Sequence, residues 1–240
     1  MKQRLDQELV QRELVATRSQ AESYIRLGKV SVDGRVVNKP GYFVVTDSKI
    51  KLDQDEQFVS RAALKLKSVA DKLNLDFANK VVLDVGSSTG GFTDFVLSRG
   101  AKRVIAVDVG TDQMHPRLRH DPRVELHEKM DIRDFKLKNK PDIILIDVSF
   151  ISSREILPSV VKSLVSPDTQ IVLMLKPQFE TGSKVKNAGV IKNDTQRRKI
   201  LKSFETWAKK LFITEQKADS EVAGAKGNLE RFYLLQKISG

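Results

Sequence analysis

Lys80-Val81-Val82-Leu83-Asp84-Val85-Gly86-Ser87-Ser88-Thr89-Gly90-Gly91-Phe92-Thr93 is the stretch that decides how this chain is read. Its apolar run, Val81 to Leu83, predicts a buried strand, and the glycines beyond it predict a tight turn. Thr93 to Arg99 then predicts a helix closed by Gly100. Strand, glycine-rich loop and helix N-terminus, in that order, bring backbone N–H groups against a nucleotide-like ligand. A second apolar strand, Val104 to Val107, ends on Asp108. An acid about 20 positions beyond such a loop is placed to accept hydrogen bonds from ribose hydroxyls.

Spacing narrows the ligand. A dinucleotide loop needs G-x-G-x-x-G, and here Ser88 takes the place of the middle glycine, where its side chain would crowd a pyrophosphate. The pattern D-x-G-x-x-x-G-G-F resembles instead the S-adenosylmethionine loop of class I methyltransferases. That resemblance implies a cofactor whose amino-acid end packs on the loop, at Asp84, Gly86, Ser87, Ser88, Gly90, Gly91 and Phe92. It implies Asp108 at the ribose, Asp131 and Ile132 at the adenine, and Val109 and Asp147 beside them.

The remaining chain predicts further alternation of strand and helix. Val124-Glu125-Leu126, Asp142 to Asp147 and Ile171 to Leu175 read as strands, and two more lie near Phe212–Thr214 and Arg231–Leu235. Ser60 is placed to cap a helix whose face carries Leu66, Val69, Ala70 and Leu73, with Lys65 off that stripe. Ser152 to Leu164 reads as a helix that Pro158 breaks or kinks, and Asp194 as the cap of a long helix reaching about Lys210. Such alternation predicts a mostly parallel seven-stranded sheet with helices on both faces, its ligands at the carboxyl ends of the strands. Asp84, Asp108, Asp147 and Lys176 all stand at such ends.

Ahead of this domain the texture differs. Leu5, Leu9, Val10 and Leu14 recur at helical spacing over residues 4–15, and Thr17-Arg18-Ser19 starts a second helix with Ala21, Tyr24, Ile25 and Leu27 inward. Val30 and Val32 alternate, Asp33-Gly34 predicts a hairpin turn, and Val36-Val37 returns. Residues 1–45 thus form a small α+β module, residues 46–57 a polar linker, and residues 58–240 the larger domain.

The module resembles the RNA-binding domain of ribosomal protein S-four. The match lies in Arg4-Leu5-Asp6, Thr17-Arg18-Ser19-Gln20-Ala21, Ile25-x-x-Gly28-x-Val30-x-Val32-x-Gly34 and Lys39-Pro40. The resemblance implies a basic face toward structured RNA, at Arg4, Arg18, Arg26, Lys29 and Lys39. Such side chains contact phosphate, giving affinity rather than sequence reading. The net charge of +11, spread along the chain, suits a polyanionic partner. The chain has no cysteine, which removes disulfides, thiolate metal sites and the cysteine attack used in cytosine-C5 methylation. Its strand-like apolar runs are too short to cross a bilayer and its first residues have no signal core, so the expected location is the cytoplasm.

Four positions carry the expected chemistry: Lys65, Asp147, Lys176 and Glu230. Together they resemble the lysine–aspartate–lysine–glutamate set of the FtsJ-like 2′-O-ribose methyltransferases, with Ser60-Arg61-Ala62-Ala63-Leu64-Lys65-Leu66 matching the family's S-R-x-x-x-K-L. Glu180, in Lys176-Pro177-Gln178-Phe179-Glu180, stands as a second candidate for the last carboxylate. A ribose hydroxyl is a weak acid and must lose its proton as the methyl group arrives, which calls for a general base. Lysine is ordinarily too protonated to serve, but a second ammonium and partial burial favour the free amine. That is the role expected of Lys65 beside Lys176. Base-directed enzymes commonly carry an N/D-P-P-Y loop after the fourth strand, where this chain reads Asp147-Val148-Ser149-Phe150.

Nearly the whole chain resembles the TlyA (haemolysin A-like) family, through V-S-R-x-x-L-K-L, D-V-G-x-S-T-G-G-F-T-D, A-V-D-V-G, L-R-x-D-P-R-V, D-V-S-F-I-S, K-P-Q-F-E and G-N-x-E. Membership implies 2′-O-methylation of cytidine in ribosomal RNA. Asp131, where asparagine is common, and the Ala225-Lys226 loop are its departures. A pore-forming haemolysin is disfavoured by the missing apolar span, signal and long amphipathic hairpin, and a fold kept only to bind RNA by the intact glycine loop and both lysines.

Overall fold

The computed structural model describes residues 2–15, 17–26, 28–53, 58–181, 189–191, 193–224 and 227–238. Leu27, the Ala225-Lys226 loop and the later part of the expected linker therefore lie outside the described residues.

In the N-terminal module, β1 (Lys2–Arg4) pairs antiparallel with β4 (Phe43–Val45). Between them come α1 (Leu5–Gln11), α2 (Arg18–Arg26), and a hairpin of β2 (Val30–Val32) and β3 (Arg35–Val36). Asp33 and Gly34 both take positive φ, 50° and 81°, which matches the turn's twist to that of its strands. The first helix is shorter than its apolar spacing predicts, because Glu13 adopts a left-handed φ of 56° and turns the chain. The linker expected over 46–57 is corrected at Ile50–Leu52, which form β5 and pair antiparallel with β2. Three residues are too few to show a period, so this strand is written in its partner rather than in itself.

The larger domain builds one sheet from β6 (Val81–Val85), β7 (Arg103–Val107), β8 (Val124–His127), β9 (Ile143–Ile146), β10 (Gln170–Leu175), β11 (Phe212–Asp219) and β12 (Arg231–Lys237). Their order is β8-β7-β6-β9-β10-β12-β11. The first five run parallel, and β12 is antiparallel to both β10 and β11. Alternate residues of each strand enter opposite cores. Val82, Val104, Leu145 and Phe232 meet α3 (Arg61–Ala70) and α4 (Gly91–Ser98), while Leu83, Ile105, Ile146 and Tyr233 meet α6 (Ser153–Ser163) and α7 (Asp194–Ala208). The short α5 (Pro116–Arg119) precedes β8. Burial on both faces explains why these strands read as continuous apolar runs.

The core on the α3 side continues into the N-terminal module. Leu5, Leu9, Ala21 and Ile25 belong to the same apolar cluster as Phe58, Ala63 and Phe95. Phe58 meets Phe95 edge-on at 5.8 Å, and the buried Gln20 amide donates to the Phe58 carbonyl at 2.7 Å.

The helices differ from expectation at two caps and at one proline. Asn193, not Asp194, caps α7, accepting from the N–H groups of Thr195 and Gln196. Ser60 sits at the start of α3 without making a capping bond. Pro158 neither breaks nor ends α6: the helix runs through it, with Ser152 capping at Arg154 N–H. Strand β6 is flanked by β7 on one side and β9 on the other, so strand order reverses there and a crevice opens at their carboxyl ends.

Candidate active site

Gly86 ends β6 at that reversal, with φ of +79°, and a Cβ there would stand 2.5 Å from the Asp147 carbonyl oxygen. Only glycine lets the loop after β6 cross so close to the end of β9. Ser88 follows at φ 46°, its N–H donating to Asp108 Oδ2 at 2.8 Å, while Asp108 Oδ1 accepts from Gly110 N–H at 2.7 Å. The acid at the end of β7 thus holds the glycine loop in shape and keeps lone pairs free on both oxygens.

Two cavities meet along this loop. The larger, about 480 Å³, has walls from Val107, Val109, Met130 and Ile132, with Asp108, Asp131, Asp147 and Phe150 at its edge. The smaller, about 140 Å³, is lined by Ser60, Asp84, Ser87, Ser149 and Lys176 among others. Gly86, Ser88, Asp147 and Ser149 belong to both. Of the expected cofactor residues, Gly91 and Phe92 reach the smaller cavity, the Phe92 ring itself packing on Phe232 at 6.0 Å. Gly90 lines neither; its left-handed φ of +91° lets the loop pass the Leu118 side chain. Asp131 is paired with Arg133, whose hydrogen bonds hold the carboxyl below its usual range. Gly91, at the first position of α4, is small because Ser60 and Ala62 lie against it.

Asp84 is fully buried. Its Oδ2 accepts from Thr93 N–H at 3.0 Å and from Thr93 Oγ1 at 2.7 Å, and Oδ1 has no hydrogen-bond partner among the described residues. Ser60 Oγ and Ser87 Oγ are likewise buried and unpartnered among them. Burial pushes the Asp84 carboxyl up to about 7, against the Thr93 bonds, with the Asp147 charge adding to it. Three unsatisfied polar atoms around one small cavity are a request for a polar ligand.

The structure sets the expected chemical residues in two ion pairs. Lys176, just past β10, lies 2.5 Å from Asp147 Oδ1 and donates to Ser149 Oγ at 2.6 Å. Lys65, from α3, lies 3.0 Å from Glu230 Oε1, at the start of β12. Both pairs are largely withdrawn from solvent, the two lysine side chains being 10% and 13% exposed. Each lysine thus has a carboxylate of its own, Asp147 beside Lys176 and Glu230 beside Lys65. Glu180 takes a different part: it accepts from Ser152 Oγ at 2.6 Å and Ser153 N–H at 2.7 Å, at the start of α6. Sequence reasoning missed Ser149, two residues past the acid that ends β9, and Gly224, where a Cβ would stand 2.5 Å from Glu230 Oε1.

In the N-terminal module, Arg4 and Arg18 both bind the fully buried Asp6, at 2.8 and 2.9 Å. Lys29 pairs with Asp53 at 3.2 Å, while Arg26 and Lys39 are exposed. No helix among the described residues is long and apolar enough to cross a membrane.

Comparison with known proteins follows this division of the chain. A family described as FtsJ-like methyltransferase matches residues 58–237, and one described as S4 domain matches residues 3–50. A Campylobacter jejuni protein named 23S rRNA (cytidine-2'-O)-methyltransferase TlyA is 39% identical over 202 residues, 82% of this chain and 78% of that protein. A Mycobacterium tuberculosis protein named 16S/23S rRNA (cytidine-2'-O)-methyltransferase TlyA is 36% identical, over 97% of this chain and 89% of its own length. A solved structure from Streptococcus thermophilus, named as a hemolysin, is 35% identical with a TM-score of 0.72, covering 100% of this chain and 90% of that one.

Proposed function

This chain belongs to the FtsJ-like methyltransferase family, in its TlyA group, and from that premise we propose that it methylates the ribose 2′-hydroxyl of a cytidine in ribosomal RNA, with S-adenosylmethionine as donor. The observation that carries this reading is Lys176, held by Asp147 and Ser149 on the wall of the small cavity at the strand-order reversal.

The cavities fit the donor. Asp84 Oδ1, Ser60 Oγ and Ser87 Oγ offer an acceptor and two hydroxyls to an ammonium and a carboxylate. Asp108 has lone pairs left for ribose hydroxyls, and Val107, Met130 and Ile132 offer an apolar slot for a flat base. When bound, S-adenosylmethionine supplies a methyl group on a sulfonium, which is a good leaving group.

The chain's own residues then orient a hydroxyl and remove its proton. The ribose oxygen gains a bond to carbon as it loses its bond to hydrogen, and Lys176 Nζ takes that proton. Asp147 orients the resulting ammonium, and Ser149 fixes it from a second direction. Lys65, oriented by Glu230, is a donor for the ribose that holds the hydroxyl in line. The S4 domain supplies RNA affinity, Arg26 and Lys39 being exposed and Arg4 and Arg18 fixed on Asp6 with 38% and 51% of their side chains accessible. Ribosomal RNA as substrate puts the reaction in the cytoplasm.

The test is single-turnover transfer of labelled methyl to ribosomal RNA, with mapping of the product nucleotide. Lys176→Ala and Lys176→Arg should fold, bind donor and lose at least about 100-fold in rate, since arginine does not deprotonate. A fully active Lys176→Arg protein, or a methyl group mapped to a base, overturns the reading.

A further inference from the structure

Glu230 is buried, Oε1 meets Lys65, and Oε2 has no hydrogen-bond partner among the described residues. A carboxylate held at one oxygen keeps its aim only if its backbone is fixed. Ser220 N–H donates to the Glu230 carbonyl at 3.0 Å, which fixes one side. The residue after Glu230, Arg231, enters the sheet opposite Leu175 and Asp219, while side chains hold Leu229 and brace Arg231 from outside the ladder. Leu229 gives its carbonyl to Arg197 Nε at 3.1 Å. Arg231 binds Asp219 through Nε at 2.7 Å and Nη2 at 3.0 Å. Arg197 reaches that same carboxylate through Nη2 at 2.6 Å and Nη1 at 3.4 Å.

Arg197 therefore meets one flank of Glu230 directly, at the Leu229 carbonyl, and the other only through Asp219. It stands in the first turn of α7, and its side chain is only 13% exposed. No feature of the proposed chemistry has used it so far.

We propose that Arg197 is a positioning residue for methyl transfer: it joins the Leu229 carbonyl to the Asp219–Arg231 pair and so aims Glu230 at Lys65. This rests on the reading of Glu230 as part of the active site. The task needs a guanidinium. Its planar fork donates in several fixed directions, whereas an ammonium of similar reach meets the carboxylate or the carbonyl as a point charge. Arg197 acts only through Glu230, and small misplacements of a group that orients substrate are enough to cost a large part of the rate. Asp219 keeps both of its bonds from Arg231 when Arg197 is changed, so the carboxylate is not left without a partner.

A double-mutant cycle on the full chain tests this, read by single-turnover transfer of labelled methyl to ribosomal RNA and by calorimetric binding of S-adenosylmethionine. Glu230→Gln alone should lose at least about tenfold in rate. Arg197→Met alone should lose about 5- to 50-fold with donor affinity unchanged, and Arg197→Lys should restore little. In the Glu230→Gln background, Arg197→Met should cost less than about twofold further, because its route to the reaction is already gone. Trp207→Leu is the structural control: Trp207 packs on Phe204 at 5.8 Å further along the same helix, so its loss should lower the melting temperature and leave the rate alone. Losses that multiply in the double variant, or an Arg197→Met loss matched by Trp207→Leu, overturn the proposal while leaving Glu230 in the site. A fully active Glu230→Gln protein overturns the reading of Glu230 itself, and the proposal with it.

Discussion

Asp84 offers a perturbation whose effects on stability and on binding run in opposite directions. The carboxylate is fully buried, Thr93 satisfies Oδ2 alone, and burial raises it to about 7. Against an ordinary aspartate near about 3.9, this is a shift of about 3 units, or about 4 kcal/mol of penalty on the ionised form above pH 7. The sign follows from proton binding. Between about pH 4 and 7 the folded protein keeps a proton that the unfolded chain has released, so wild-type stability falls as pH rises through that window and levels off above it. Asp84→Asn has no proton to lose. Its amide oxygen still accepts from Thr93, but its NH₂ group must find a partner in the small cavity, at a cost of about 1–3 kcal/mol if none is met. The variant should therefore unfold at higher urea than wild type at pH 8, by about 1–3 kcal/mol, and the gap should close or reverse by pH 5. It should also bind S-adenosylmethionine poorly at every pH, having lost the anion offered to the donor's ammonium. Urea unfolding at half-unit pH steps, paired with titration calorimetry in two buffers of different ionisation heat, reads all of this. Wild type should release protons on binding donor near pH 6, and the variant should not. A stability gap that stays constant from pH 5 to 8, or undiminished donor affinity in the variant, refutes the reasoning.

Gly86→Ala should lower stability by about 1–3 kcal/mol and weaken donor binding, because a left-handed φ and a Cβ 2.5 Å from the Asp147 carbonyl push the ends of β6 and β9 apart. Urea unfolding and calorimetry check it, and unchanged values in both would show that the crossing has room to spare. Arg26→Glu with Lys39→Glu should weaken ribosomal RNA binding and flatten its salt dependence by about 1–2 units of slope, with donor binding unchanged. An unaltered slope would move the RNA-binding face elsewhere on the module.

Much of this architecture is visible in single stretches of sequence because the physics that forms it is local. Val81 to Leu83 and Ile143 to Ile146 are apolar without alternation because helices cover both faces of the sheet. The acids and the lysine at strand ends mark where those runs stop. What stayed hidden is what depends on a distant partner. Ile50–Leu52 is a strand only because β2 needs an edge. Asp6 looks like an ordinary surface acid, yet it is fully buried between Arg4 and Arg18. Glu230 is the first candidate in sequence and Glu180 the second, and where each carboxylate lies, one on a lysine and the other at a helix start, is visible only in the placement of α3 and α6.

The glycines carry the same lesson further. Read along the chain, each glycine near the site marks a turn, and Gly86 and Gly90 are indeed in left-handed conformations. Gly91 and Gly224 are not, and a turn does not explain them. Gly91 is bare because α3 begins against it, and Gly224 is bare because the Glu230 carboxylate lies over it. Both contacts join α3 to the elements beside it: Gly91 seats its first turn on α4, and Gly224 leaves room for the carboxylate that meets Lys65 from its middle. The helix that carries Lys65 also follows closely on Phe58, whose carbonyl is held by Gln20 of the N-terminal module. The placement of Lys65 thus depends on contacts to α4, to the segment before β12 and to the S4 domain together, so a change at any of these three surfaces should be felt at the same nitrogen.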